Sequence, residues 1–163
     1  MTTARRTRWI WRSTVFVMLA SGVGCRAADS TSSRSATYIA ALSGAREVPA
    51  SGTTASGSAT LTVTGSTLVY SVSTSGFATP LSVGHIHVGG GGQIGPVIVP
   101  FTIVAQTGMV ATGSVDLSKP VSYNTLTLSG DSLVTLMDAG LMYVNLHTAA
   151  FPGGEIRGQI VRQ

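Results

Sequence analysis

Histidine is scarce in this chain, and its few copies have a spacing that suits either metal binding or a hydrogen-bonded network. His85 and His87 lie two residues apart in the segment GHIHV, and His147 closes the segment LMYVNLH. Side chains alternate between the two faces of a strand, so His85 and His87 share one face if this segment is extended. Neutral imidazoles bind Zn or Cu through one nitrogen at about 2.0–2.1 Å, and this pair points two of them the same way.

The same alternation places further polar side chains beside the histidines. In 141–147, Asn145 and His147 share a face opposite Val144 and Leu146. In 155–162, Glu155, Arg157 and Gln159 lie opposite Ile156 and Ile160. If the three strands are neighbours, these faces merge into one polar cluster. Glu155 is then a candidate fourth ligand, or a group that fixes a histidine tautomer.

Three interpretations of this cluster stay open. It is a mononuclear metal site of His85, His87 and His147, a structural polar network that includes Asn145, Arg157 and Gln159, or an exposed sheet face. Glu47, in the segment LSGAREVP, is a further candidate for the network.

The elements that position these residues are predicted to be short strands. Alternating apolar residues predict a hairpin of 59–63 and 68–72 around Gly65-Ser66. Further strands are predicted at 83–88, 97–103, 109–115, 123–128, 141–147 and 155–162, with Pro100 indicating an edge strand or a bulge. One helix is predicted at 131–139, with Asp131 as its N-cap and Gly140 just past its end. Many strands with one short helix favour an all-β, antiparallel sandwich or barrel.

The N-terminal residues are typical of an export signal. Four arginines precede the apolar run 13–24, which is too short to span a bilayer and ends at Cys25. The residues before Cys25 resemble a lipoprotein signal, so we predict a signal peptide at 1–25 with cleavage before Cys25 and lipidation of Cys25. Secretion without a lipid and a retained anchor are the alternatives. Residues 26–36 are predicted to be a flexible linker, and 37–163 the folded domain.

Charge and composition exclude several classes of function. The formal charge is +4, but from Arg26 onward six basic and six acidic residues balance, so a nucleic-acid partner is not expected. A single cysteine closes no intramolecular disulfide. The chain has no G-x-S-x-G elbow for a serine nucleophile. The glycine-rich segment 89–96 lacks a following Lys-Ser/Thr and is read as a mobile loop. The question of an enzyme stays open, with a non-enzymatic role favoured.

Three segments carry a resemblance to a known family. LSGAREVPASGTTASGSATLTV (42–63), GHIHVGGGGQIGPVIV (84–99) and YVNLHTAAFPGGEIRGQI (143–160) resemble, in order, the landmark blocks of the CHRD (chordin) domain. The resemblance implies an immunoglobulin-like β-sandwich or barrel related to Cu,Zn superoxide dismutases, and a bacterial exported protein without an established activity. The His85-x-His87 pair is similar to a copper-ligand pair of those dismutases, but three histidines are too few for their dinuclear site.

These observations together predict an exported, non-catalytic binding or structural module in the cell envelope or outside the cell. Its expected partners are a membrane, through a lipid on Cys25, and an unidentified extracellular protein or ligand. The alternative is a mononuclear Cu or Zn protein with a redox or metal-carrier role. No cofactor is certain from the sequence.

Overall fold

The computed structural model describes residues 34–104 and 109–163. The predicted signal peptide 1–25, its Cys25, and the predicted linker up to residue 33 lie outside the described residues. The first strand begins at Ser35, two residues before the predicted start of the domain. The strands are β1 Ser35–Ser43, β2 Ser56–Thr64, β3 Thr67–Ser75, β4 Leu81–Val88, β5 Val97–Pro100, β6 Met109–Asp116, β7 Val121–Tyr123, β8 Leu126–Leu128, β9 Met142–Thr148, β10 Ile156–Gln159 and β11 Val161–Arg162. A single α-helix, α1, spans Gly130–Asp138 in this part of the chain.

The main sheet is antiparallel, which confirms the predicted fold class. Its strand order is β5-β4-β9-β10-β1-β2-β3-β6, and β11 also pairs with β1. β7 and β8 form a separate hairpin. The sheet curls, and a bridge between Ile103 and Ala111 joins the segment after β5, at one end of the order, to β6 at the other. None of the described helices has both the length and the apolar character needed to cross a membrane.

The core occupies the inner face of this curled sheet. The predicted hairpin of β2 and β3 turns at Gly65, whose φ of 58° is one that glycine adopts without strain. Leu61 and Leu68 on its inner face are fully buried. Burial of each such side chain contributes about 1.5–3 kcal/mol to the free energy of folding. The alternating apolar residues of the sequence form one continuous apolar face.

Four local predictions were wrong. The segment 123–128 is two strands, because Asn124 takes φ 50° and turns the chain, a conformation that Asn tolerates better than most residues. The N-cap of α1 is Ser129, whose side chain accepts from the Ser132 amide, in place of Asp131. The last predicted strand breaks at Ile160 into β10 and β11. The strand predicted at 97–103 stops at Pro100, where β5 ends, although Pro100 does lie in an edge strand.

Candidate metal centre

Strands β4, β9 and β10 are neighbours, so the three polar faces merge as the parity argument required. Two rows cross these strands: His85 pairs with Asn145 and Asn145 with Arg157, while His87 pairs with Tyr143 and Tyr143 with Gln159. This polar face lies on the side of the sheet opposite the core. Every residue of β9 is buried, because the core covers one face of this strand and loops cover its polar face.

The three histidines converge on this face. One ring nitrogen from each lies within 4.8 Å of the others. The ring of His85 lies 5.2 Å from that of His147 and 5.5 Å from that of His87, measured between centroids. His87 and His147 are each 8% exposed, whereas His85 is half-buried.

Backbone carbonyls fix two of the three tautomers. Nδ1 of His87 lies 2.9 Å from the Gly95 carbonyl oxygen, and Nδ1 of His147 lies 3.0 Å from that of Pro152. A carbonyl only accepts, so each Nδ1 carries the proton and each Nε2 keeps its lone pair. These two Nε2 atoms and Nδ1 of His85 are buried without a hydrogen-bond partner.

Burial keeps these imidazoles neutral. It lowers the pKa of His85 to about 4, with smaller contributions from His147 and His87. Burial also lowers the pKa of His87 and of His147, although the hydrogen bond from each Nδ1 to its carbonyl opposes the shift. All three rings therefore offer neutral nitrogens at pH 7, which is the form that binds metals.

Glu155 occupies a different place from the one that the sequence suggested. Its buried carboxylate accepts hydrogen bonds from the hydroxyls of Thr53 and Thr148, and Ser51 donates to its backbone oxygen. It therefore ties the loop before β2 to the end of β9. The carbonyls of Gly95 and Pro152 perform the orienting role that the sequence argument offered to Glu155.

A stack of three side chains supports His87. The guanidinium carbon of Arg157 lies 3.4 Å from the centroid of the Tyr143 ring, and the His87 ring stacks on Tyr143 at 4.7 Å with a 10° interplanar angle. Arg157 is only 3% exposed and donates to the carbonyls of Gln93 and Gly90 at 2.7 and 2.9 Å. The stack thus holds the histidine and the glycine-rich loop in one unit.

The glycine-rich loop 89–96 is anchored, against the expectation of a mobile loop. Gln159 donates to the carbonyls of Gly89 and Met142, and the Tyr143 hydroxyl accepts from the Gly95 amide. A Cβ on Gly95 would overlap with the Val88 carbonyl oxygen. Only glycine therefore lets the loop approach β4 closely enough for its carbonyl to reach His87.

Glu47 and Asn145 complete the predicted polar network. Glu47 is 9% exposed, and burial raises the pKa of its carboxyl to about 7, although Arg157 and hydrogen bonds from Val48 and Asn145 oppose the rise. Oε1 of Glu47 and Oδ1 of Asn145 are also buried without a partner. All four residues predicted for the network lie between the polar face of the sheet and the loops that cover it. We call this region the layer.

The arrangement suits one metal ion. Metal–nitrogen bonds of about 2.0–2.1 Å hold neighbouring nitrogens about 3.3–3.6 Å apart, so the rings would close by roughly 1 Å on binding. Sequence reasoning gave no role to Tyr143, Gly95 or Pro152. The place of Tyr143 on the polar face was readable from strand alternation, whereas no sequence signal marks the direction of a backbone carbonyl.

Comparison with known proteins identifies a family for this chain. The model of the CHRD domain family matches residues 38–160. No curated protein and no solved structure matches the chain. The match covers most of the sequence and includes every residue of the polar face, so the chain belongs to the CHRD domain family.

Proposed function

We propose that this CHRD-domain protein is exported and binds a single copper or zinc ion through His85, His87 and His147. The observation that carries the proposal is the convergence of the three imidazoles, each of which has one nitrogen within 4.8 Å of the others and one buried nitrogen without a hydrogen-bond partner. Leaving a buried acceptor unpaired costs about 1–3 kcal/mol, so three in one place are a large cost without a ligand.

The ligand chemistry of the three rings suits a metal ion. Nε2 of His87 and Nε2 of His147 keep their lone pairs, and Nδ1 of His85 is a third ligand atom in the tautomer that carries its proton on Nε2. One cation accepts all three lone pairs at once. The carbonyls of Gly95 and Pro152 accept from Nδ1 of His87 and of His147 and orient these rings, as hydrogen-bond partners of histidine ligands do in established metal sites.

A non-catalytic binding or structural module without metal is the second candidate. It is supported by the rest of the layer, in which Arg157, Gln159 and Glu155 have their polar atoms engaged by backbone carbonyls or threonine hydroxyls. In this case the layer would serve to hold the loops, and its exposed outer surface would meet an extracellular partner.

Metal content decides between the two candidates. The full chain is exported from a bacterial host, reconstituted with copper or zinc, desalted, and measured by mass spectrometry of the metal. We expect about one ion per chain, lost in His87→Ala and His147→Ala. Val83→Ala is the matched control, because this exposed residue lies on the same face of β4 and offers no ligand atom. A wild-type protein with less than about a tenth of an ion per chain, or one unaffected by His87→Ala, would contradict the metal proposal.

Export rests on the N-terminal sequence and has its own test. The basic residues before the apolar run, with Cys25 at its end, support cleavage before Cys25 and a lipid anchor in the cell envelope. Mass spectrometry of the protein from the membrane fraction should give a mature chain that begins with a lipidated Cys25. Cys25→Ser should abolish the lipid mass. A mature chain that retains residues before Cys25 would argue against the proposed anchor.

A further inference from the structure

The ligand group of the candidate site carries no negative charge. Among the described residues it consists of three imidazoles. The two buried carboxyl groups of the layer are placed elsewhere: Glu155 is held by Thr53 and Thr148, and Glu47 lies beside Asn145. Any charge that a bound ion brings is therefore left without a counter-charge from its ligands.

A buried positive charge lies close to the site. Arg157 has no carboxylate within 4.0 Å among the described residues, and the carboxyl of Glu47, which is near enough to interact with it, offsets only part of its charge. Its guanidinium carbon contacts the Tyr143 ring, which stacks on His87, so it lies no farther than about 8 Å from the centre of the His87 ring. Repulsion between Arg157 and a bound ion is twice as large for a divalent as for a monovalent ion. Because the layer is buried, salt screens this repulsion weakly.

The number of ligands fits Cu(I) directly and zinc only with an added group. Zinc bound by three histidines takes a water molecule as its fourth ligand, and Cu(II) favours four ligands in a square or tetragonal arrangement. Three converging nitrogens satisfy a trigonal ion without a fourth group. Among the metals that imidazole binds, Cu(I) combines a single charge with a tolerance for three ligands.

We propose that the His85, His87 and His147 site selects monovalent copper, Cu(I), over divalent zinc. This inference rests on the proposed metal site and adds the charge and identity of its ion.

The test is a pair of competition titrations on the full chain. Cu(I) is titrated without oxygen against a colorimetric Cu(I) chelator, and Zn(II) against a colorimetric zinc chelator, at the same pH. We expect the Kd for Cu(I) to be at least a hundredfold smaller than the Kd for Zn(II). Equal affinities, or tighter binding of zinc, would overturn the proposed selectivity but would still support a metal site. Binding of neither ion would overturn the proposed function itself.

A charge substitution tests the physical cause. Asn145→Asp adds a carboxylate at the position paired with His85, with almost no change in side-chain size. We expect it to lower the Kd for Zn(II) about tenfold more than the Kd for Cu(I). Ser58→Asp is the control, because it adds the same charge at an exposed position of β2, four strands from β4. An equal change for both ions in Asn145→Asp would overturn the charge argument. If circular dichroism shows that Asn145→Asp does not fold, the wild-type ratio decides.

Discussion

Arg157 is predicted to be the main polar anchor of the loop layer. Arg157→Met keeps an unbranched apolar stem but removes the guanidinium, so the carbonyls of Gly90 and Gln93 lose their donors. Two hydrogen bonds from a charged donor contribute about 1.5–3 kcal/mol each, and stacking on Tyr143 about 1–2 kcal/mol. The mutation also removes a buried cation that has no ion-pair partner, which offsets several kcal/mol of this loss in stability. We expect a net loss of about 3 kcal/mol in the free energy of unfolding.

The assay is urea unfolding of the metal-free chain followed by circular dichroism, with thermal unfolding beside it. A loss of this size corresponds to a fall of about 10 °C in Tm for a domain of this length. Arg162→Met is the matched control, since Arg162 forms an ion pair with Asp138 but is half-exposed, and should lose less than about 1 kcal/mol. If Arg157→Met unfolds at the same urea concentration as Arg162→Met, Arg157 does not anchor the layer.

Three further predictions concern the loop, the helix and acid stability. Gly95→Ala should lower Tm by several degrees, because its Cβ would overlap with a backbone carbonyl of β4, whereas Gly91→Ala, in open space, should leave Tm unchanged. Ser129→Ala removes the N-cap of α1 and should cost about 1 kcal/mol in urea unfolding; an unchanged midpoint would show that the cap is unimportant. Because burial lowers the pKa of His85 from 6.5 to about 4, the folded metal-free chain binds fewer protons than the unfolded chain between these values. The contribution of His85 to stability is then fully present above pH 6.5 and is lost as the pH falls towards 4. Glu47, whose pKa is raised to about 7, has the opposite pH dependence. Glu47→Gln should therefore steepen the fall of Tm towards acid pH, measured by thermal unfolding at a series of pH values. A Tm that does not change with pH in either protein would contradict this linkage.

The fold and the composition of the polar face were readable from alternation in the sequence. Parity placed His85, Asn145 and Arg157 on common faces, and the resemblance between the three sequence blocks and one family indicated that these faces belong together. The pairing of β4 with β9 and of β9 with β10, which joins these faces, was assumed and not predicted. The order of strands in a sheet does not follow from their order in the chain.

The covering loops could not be predicted, for a physical reason. They are held by backbone carbonyls, such as those of Gly95 and Pro152, and every residue type carries the same carbonyl. Its direction depends on local φ and ψ, which glycine-rich segments leave undetermined. The position of Glu155 could not be predicted for the same reason, since its partners Thr53 and Thr148 come together only when the covering loops are in place.

The distribution of unsatisfied atoms distinguishes a binding site from a structural network. Folded proteins pair nearly all of their buried polar atoms, and this layer does so for Arg157 and Gln159. Among the described residues, five buried side-chain atoms have no partner, and they belong to the three histidines, Glu47 and Asn145. All of them lie in this one layer. A network selected for stability alone would have no reason to concentrate its unmade bonds in one place, whereas a site that binds a ligand keeps such atoms free for it.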